Sequence, residues 1–552
     1  MIVGQFGFQP TSCQQEALQT FGRFLADRRA ESVMILRGSA GTGKTSLAAA
    51  MVGTLHRLGQ KLTLMAPTGR AAKVFSRGSH LPAYTIHRRI YRERAYQGLD
   101  GQFNLNDNRY HRMLFVVDEA SMIGSGSQGE DTFGSGSLLD DLIKYVYSGD
   151  NCRLLLIGDK AQLPPVGEEE APALSADVLR GYGLAVYESD LDEVLRQGQR
   201  SGILFNATRL RDMILRDETI LLPPVTFQGF ADIINVRGDE LVETLASSYS
   251  QVGADDTIVV TRSNKRAGVY NQGIRNTILD REDELCSGDL VMIVRNNYYW
   301  TECEQAKIRE SVSRGEPAQP LPVSFLANGD RAVVERVRNV RELYGFRFAD
   351  VWLRFPDYDD YEMQVTVNMD SLLADAPALT REQNEQLFAR VMEDYADLKT
   401  KAERLRAVKG DAYFNALQVK FAYAVTCHKA QGGQWSHVYV DQGYMTDDMV
   451  NADYYHWLYT AFTRATEKLY LVNWKPPLLY VFKSECKGSV FISFHQIFQQ
   501  FFSLFLQKTS FFPIKYTFFP SFSLSQSPFP FLPFYLFTFL LFYLFTFITC
   551  FL

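Results

Sequence analysis

The sequence predicts an α/β protein of two lobes, each built on a parallel sheet, with a small β-module inserted in the second lobe. Three observations predict it. First, residues 32–38 (SVMILRG), 61–67 (KLTLMAP), 113–119 (MLFVVDE) and 153–159 (RLLLIGD) are short apolar runs, each followed by turn residues and a helical pattern. Continuous Val/Ile/Leu runs of that length read as strands buried on both faces of a parallel sheet. Second, the pattern recurs at 256–264 (DTIVVTRSN), 421–429 (FAYAVTCHK), 437–441 (HVYVD) and 468–472 (KLYLV). Third, a chain of 552 residues exceeds a single core and calls for two to four domains. The expected lobes are 1–200 and 201–475.

Several segments depart from this rhythm. Residues 124–137 (GSGSQGEDTFGSGS) read as a flexible surface loop. Residues 288–410 offer GDLVMIVRNNYYW, FLANGDRAVVERV and FRFADVWLRF, short strands with an Asn-Gly turn at 328–329, and so a small barrel or hairpin module. Residues 379–409 are charged and helical in pattern. The tail 476–552 holds about half of the chain's 40 Phe, and 534–552 contains neither a charge nor a proline. Two readings stand for it: a C-terminal membrane anchor, since about 18 apolar residues can span a bilayer, or the compositional monotony of a shifted reading frame.

Composition bounds the chemistry. A formal net charge of -6 leaves room for a local basic groove that neutralises phosphates. Cysteines at 13, 152, 286, 303, 427, 486 and 550 include no CxxC pair, which argues against a zinc ribbon or dithiol redox site and fits reduced thiols in the cytoplasm. The N-terminal stretch has neither a basic n-region nor an apolar core of the kind that directs secretion.

The strongest local signal is Gly38-Ser39-Ala40-Gly41-Thr42-Gly43-Lys44-Thr45, a phosphate-binding loop at every fixed position. It follows a predicted strand and opens a helical run. Its glycines, Gly38, Gly41 and Gly43, let backbone N–H groups turn toward phosphate oxygens, and Thr42 contributes to the same cradle. Lys44 is placed for the β- and γ-phosphates of ATP, and Thr45 for Mg²⁺. Asp118 and Glu119 end a later apolar strand. Paired with the loop, Asp118 reads as a second Mg²⁺ ligand and Glu119 as the group that polarises an attacking water.

Further ordered motifs over about residues 8–475 make the chain resemble the superfamily 1B DNA helicases of the RecD-like and Dda-like group, proteins with two RecA-like lobes and an SH3-like insertion in the second. Carried over position by position, the resemblance implies that Gln14 (TSCQQEAL) reads the adenine edge. Thr68 and Arg70 (APTGRAA) hold a strand phosphate, and His87 (YTIHRRIY) faces the strand channel. Gln162 (GDKAQLPPVG) senses the γ-phosphate, and Arg196 (LDEVLRQ) reaches it. In YAVTCHKAQGGQW, Thr426, His428 and Lys429 touch the nucleic-acid backbone, while Gln431 and Gly432 lie on the nucleotide side. Arg464 (YTAFTRA) is the arginine finger from the second lobe.

The same resemblance implies ATP and Mg²⁺ as cofactors, single-stranded and forked duplex DNA as partners, movement 5′→3′, a wedge hairpin near 92–112, and work in repair, recombination or replication alongside proteins of those pathways. The motifs leave open an RNA-directed helicase, because phosphate gripping ignores the sugar. A P-loop ATPase tethered to a membrane through 534–552 is the other alternative to a cytoplasmic enzyme.

Overall fold

The computed structural model describes residues 2–474 apart from 30, 94–102, 127–134, 194–200, 220–221, 318–320 and 324. The tail expected as anchor or frame-shift product lies outside the described residues, as do Arg196 and the centre of the Gly/Ser loop. Among the described residues no helix is long and apolar enough to cross a membrane.

The first sheet has six strands, in the order Ala83–Thr85, Leu62–Ala66, Leu114–Val117, Arg153–Gly158, Ser32–Gly38 and Ala185–Leu191. Every neighbouring pair runs parallel. Side chains alternate between two cores. Val33, Ile35, Phe115, Val117, Leu154 and Leu156 face one; Met34, Leu36, Leu114, Val116, Leu155 and Ile157 face the other. Burial on both faces is why these strands are unbroken apolar runs in the sequence. The edge strand Ala185–Leu191 is not so marked, because it is half-exposed and carries Glu188 and Asp190, which pair with Arg37 at 2.7 and 2.6 Å.

The second sheet has the order Ala424–Thr426, Thr257–Thr261, Trp435–Asp441, Ala465–Val472, Ile233–Val236, again parallel throughout. The fold is thus the expected pair of RecA-like lobes. Reading 421–429 as one strand needs correction. The chain leaves a barrel strand at Phe421, turns through Ala422 and Tyr423, and enters the sheet at Ala424. Both halves are buried, so hydrophobicity alone runs straight through the join.

The expected β-insertion is a closed barrel of Leu290–Ile293, Arg331–Leu343, Phe346–Phe355, Tyr361–Asn368 and Leu417–Phe421, like an SH3-like module. Gly329 in the Asn-Gly turn takes φ +94°, a conformation glycine adopts without strain, and so starts the long strand at Arg331. The barrel's closing strand lies past residue 410. Between the last two strands the chain forms the helices Arg381–Asp394 and Lys401–Lys409, each opened by a capping box, Thr380 with Gln383 and Thr400 with Glu403. Near 92–112 the chain pairs Tyr91–Glu93 with Phe103–Leu105 as an antiparallel hairpin; its tip lies outside the described residues.

The barrel's root is a buried ion pair. Arg275 Nε and Nη2 donate to the two carboxylate oxygens of Asp289 at 3.0 Å each. Arg281 Nη1, the Tyr423 hydroxyl and the Cys286 N–H complete the carboxylate's shell at 2.7, 3.0 and 2.7 Å. The network ties the entering strand at Leu290 to the exit turn at Tyr423.

Candidate functional site

The phosphate loop follows the strand Ser32–Gly38 and caps the helix Lys44–Arg57. Gly41 and Gly43 take φ of 79° and 76°, where a side chain would be strained. A Cβ on Gly38 would come within 2.9 Å of Thr42 Oγ1 and 3.1 Å of Leu191 Cβ, so only glycine fits there. Thr42 Oγ1 donates to Ser39 O at 2.8 Å and Lys44 Nζ to Gly38 O at 3.1 Å, folding the loop over its own helix N-terminus. Thr45 sits on the helix's first turn.

Asp118 is buried at the end of Leu114–Val117, and its Oδ1 accepts the Glu119 N–H at 2.9 Å. Burial first, then the neighbouring Glu119 charge, pushes its pKa up to about 6, against the pull of Lys44. Glu119 itself has φ 55° and opens the short 3₁₀ turn Ala120–Met122. Its Oε2 is buried with no hydrogen-bond partner, as is Gln162 Oε1. Two orphaned acceptors and a carboxyl starved of positive charge, beside a phosphate loop, fit a nucleotide with its divalent cation. Among the described residues no cluster of three or more His, Cys, Asp or Glu could hold a metal.

Gln14 is 1% exposed and does not present itself to a base. Its Oε1 accepts from Thr11 N–H at 3.0 Å and its Nε2 donates to Thr42 O at 2.9 Å, so in this conformation it braces the phosphate loop rather than reading an adenine edge. The reason is local: Gln14 is the N3 residue of the capping box that opens the helix Ser12–Ala26.

The segment after Gly158 belongs to the first sheet by sequence and to the second lobe by packing. Ala161 and Leu163 are buried in the second-lobe core. The helix Ala452–Phe462 receives them: His456 Nδ1 lies 3.0 Å from Ala161 O, and Thr460 Oγ1 accepts Leu163 N–H at 2.7 Å. Gln431 Nε2 donates to Leu163 O at 2.8 Å.

Of Gln431 and Gly432, both expected on the nucleotide side, Gln431 meets Leu163, the neighbour of Gln162, and also lines a cavity shared with the first lobe. Gln431 joins segment 159–163 to a cavity on the other side of the seam. Gly432, at φ +70°, approaches the first lobe so closely that a Cβ would meet Ala71 Cβ at 2.9 Å and Thr68 Oγ1 at 3.1 Å. Arg464 also differs from expectation. It is 3% exposed, and Nε, Nη1 and Nη2 donate to Thr460 O, Gly433 O and Thr463 Oγ1 at 3.0, 3.2 and 3.1 Å. In this conformation its guanidinium is held inside the second lobe. Tyr459, on the helix Ala452–Phe462 that precedes Arg464, reaches the phosphate loop, donating to Asp159 Oδ2 at 2.6 Å and accepting Ala40 N–H at 3.0 Å.

The cavity beyond Gln431 measures about 400 Å³. Thr68, Arg70 and His87 line it from the first lobe, Phe325 and Arg331 from the barrel, and His428, Lys429 and Trp435 from the second lobe. Thr68 caps the helix Gly69–Ser79 through Ala71 N–H at 3.2 Å. The Arg70 guanidinium stacks 4.0 Å from the Trp435 ring, and Arg331 lies 5.9 Å from the same ring. Burial and then the Arg331 charge push Arg70 down to about 10, so two partly desolvated cations face one cavity. Burial holds His87 neutral, with a pKa pushed down to about 4. Lys429 is pushed down to about 8 by burial and then Lys420. A second cavity of about 410 Å³ shares Met292 and Lys429 with the first and contains Thr426. Desolvated cations, hydroxyls and aromatic rings in one groove suit a phosphate backbone with bases.

Sequence reasoning missed Arg331, Phe325, Arg211 and Tyr459. Arg331 follows the Asn-Gly turn and Tyr459 lies within YTAFTRA, yet neither residue type announces itself at those positions. Arg211 Nη1, which donates to Ser39 Oγ at 2.6 Å, comes from a helix with no motif.

Comparison with known proteins fits this geometry. Residues 23–168 match the AAA domain family and residues 421–472 the UvrD-like helicase C-terminal domain. The two matched segments lie one in each lobe, the AAA match in the first and the UvrD-like match at the end of the second. The superfamily 1B resemblance drawn from the motifs stands with these two matches. The ATP-dependent RecD2 DNA helicase of Deinococcus radiodurans is 33% identical over 135 residues, 24% of this chain and 16% of that protein. An uncharacterized protein, R530, of Acanthamoeba polyphaga mimivirus is 22% identical over 513 residues, 80% of this chain and 96% of its own length. Uncharacterized protein MJ1519 of Methanocaldococcus jannaschii is 24% identical over 465 residues, and there the chain spans 36% of the relative's length. A solved structure of Bacteroides Pif1 helicase with ADP-AlF3 and single-stranded DNA covers 87% of this chain and 98% of its own, at 14% identity and a TM-score of 0.41.

Proposed function

We propose that this chain is an ATP-driven motor that tracks single-stranded DNA and separates the duplex ahead of it. One observation carries the reading: the segment 159–163 is hydrogen-bonded on one side to Tyr459, which touches the phosphate loop, and on the other to Gln431, which lines the basic cavity. A nucleotide and a strand would then be felt through the same few residues. In this reading the motor comprises a first lobe over 1–200, with its wedge hairpin, and a second over 201–475 that carries the barrel.

The loop N–H groups and Lys44 would hold the β- and γ-phosphates of ATP. Thr45 and Asp118 would hold Mg²⁺, which supplies charge neutralisation to the phosphate oxygens when bound. Glu119 orients the attacking water and takes its proton through the buried, unpartnered Oε2. The water oxygen bonds to the γ-phosphorus as the bond to the β-phosphate oxygen breaks, and Gln162 Oε1 stands ready to accept from that water or from a bound phosphate's proton. Arg464 would exchange its carbonyl partners for the transferred phosphoryl group on closure, a contribution of about 10³–10⁵-fold in related NTPases. Thr68, Arg70, His87, Thr426, His428 and Lys429, joined by Arg331, would grip the strand through phosphates and stacking, so binding is salt-dependent and weakly sequence-selective.

DNA as substrate, 5′→3′ movement, forked duplex as partner, cytoplasmic location and work in repair or recombination follow from the family resemblance. Strand displacement on forked DNA bearing a 5′ or a 3′ tail tests substrate and polarity together. Displacement from the 5′-tailed fork alone is expected, with loss of activity in Lys44→Ala by at least about 10²-fold. Displacement from the 3′-tailed fork alone would overturn the polarity, and ATP-independent displacement would overturn the motor.

A further inference from the structure

Ser39 and Ala40, the residues that open the phosphate loop, are each held by a side chain that packs with the second lobe. Arg211 Nη1 donates to Ser39 Oγ at 2.6 Å. Ala40 N–H donates to the Tyr459 hydroxyl at 3.0 Å, and that hydroxyl donates to Asp159 Oδ2 at 2.6 Å. Tyr459 is 1% exposed and Asp159 3%. A buried tyrosine hydroxyl has one proton to give and lone pairs to receive with, and here the first is used on Asp159 and the second on Ala40 of the phosphate loop.

We propose that Tyr459 is a positioning residue that transmits movement of the second lobe to the phosphate loop, through Ala40 and Asp159. Its helix, Ala452–Phe462, has the mechanical connections this needs. Thr460 and His456 fix it to Leu163 and Ala161. At its far end Arg464 binds Gly433 O and receives Trp435 N–H on its own carbonyl at 3.0 Å, beside the wall of the strand cavity. A strand that shifts Trp435 or Gln431 shifts this helix as a body, because packed helices move as units rather than by bending. Tyr459 then moves against Ala40, and the carboxylate of Asp159 moves with it. Asp159 shares the electrostatic field of Lys44 and Glu119, so its displacement is felt where the phosphates sit. The inference rests on the motor reading above and adds to it the residue that couples the two ligands.

Tyr459→Phe keeps the ring's packing and removes only the hydroxyl. In the full chain, ATP hydrolysis measured against ATP and oligo-dT concentration should show kcat at saturating strand falling about 10-fold, with KM for ATP within about 2-fold, since an interaction needed for reaction and not for binding is lost. The melting temperature should stay within a few degrees. Asp159→Asn should produce the same split, and the double variant should lose no more than the worse single one, because the two residues act as one unit.

A wild-type kcat in Tyr459→Phe overturns the inference, as do losses that multiply in the double variant or a loss confined to KM. Should Tyr459→Phe fail to fold, Asp159→Asn alone decides it by the same kcat–KM split. Absence of any strand stimulation in the unaltered protein would instead refute the motor reading, and the inference with it.

Discussion

Glu119 occupies the left-handed region at φ 55° and ψ 39°, a conformation that costs a residue with a side chain about 1–2 kcal/mol. The strain turns the chain sharply after Asp118 and leaves Glu119 Oε2 buried and unpartnered, as the proposed role of water-activating base requires. Glu119→Gln should therefore bind nucleotide with affinity close to that of the parent and lose turnover by about 10²–10⁴-fold, read by fluorescent-nucleotide titration alongside phosphate release. Of the residues proposed to grip the strand, Arg70 is the one stacked on Trp435, and it is pushed down to about 10 by burial and then Arg331. Arg70→Ala should weaken single-strand binding at low salt and reduce the slope of log affinity against log salt by about 1, measured by fluorescence anisotropy. An unchanged slope would remove Arg70 from the phosphate contacts.

Among the elements, the barrel is held to the second lobe by charge as well as by apolar packing. Asp289 is fully buried and Arg275 2% exposed, and their bidentate pairing sits where the chain both enters and leaves the barrel. Asp289→Ala strands a buried guanidinium and should destabilise the protein by about 3–5 kcal/mol in chemical denaturation. Replacing both partners with apolar residues of similar volume should cost far less, because no charge is then left unpaired. The strand boundaries at 421–424 teach the complementary point. A barrel strand and a sheet strand follow each other with no break in hydrophobicity, since both are fully packed, and only their partners, Val291 on one side and Val259 on the other, distinguish them.

Across the whole molecule, the barrel also reaches the first lobe. Lys73 Nζ donates to Pro356 O at 2.6 Å. Asp330 and Tyr358 close on Gly69 so tightly that a Cβ there would meet Asp330 Oδ1 at 2.5 Å. The chain neighbours of Gly69 and Asp330, namely Thr68, Arg70, Gly329 and Arg331, line the cavity of about 400 Å³. Burial pushes the Asp330 carboxyl from 3.8 up to about 7, against the hydrogen bonds from Tyr358 and Ala327 N–H. Between those values the folded protein keeps a proton that the unfolded chain has released. The stability this proton supplies is whole below about 4 and is lost as pH rises through about 7. Melting temperature should fall over that range in the parent protein, and the fall should be shallower in Asp330→Asn, which stays neutral throughout. Identical pH profiles would show that Asp330 does not carry the effect.

The central strands of both sheets, the phosphate loop and the acidic pair were legible from sequence because each is a local pattern with a local cause. Two-sided burial writes continuous apolar runs, and phosphate binding writes glycines at fixed spacing before a helix. Half-exposed edges such as Ala185–Leu191 carry no such signature. Tertiary structure alone decided which side of the inter-lobe seam each second-lobe residue serves. Gln431 and Gly432 turn toward segment 159–163 and Thr68, Arg464 is held within its own lobe, and Tyr459 and Arg211 meet the phosphate loop. Those assignments depend on how two separately folded sheets pack against one another, and the spacing of residues along either one does not encode that packing.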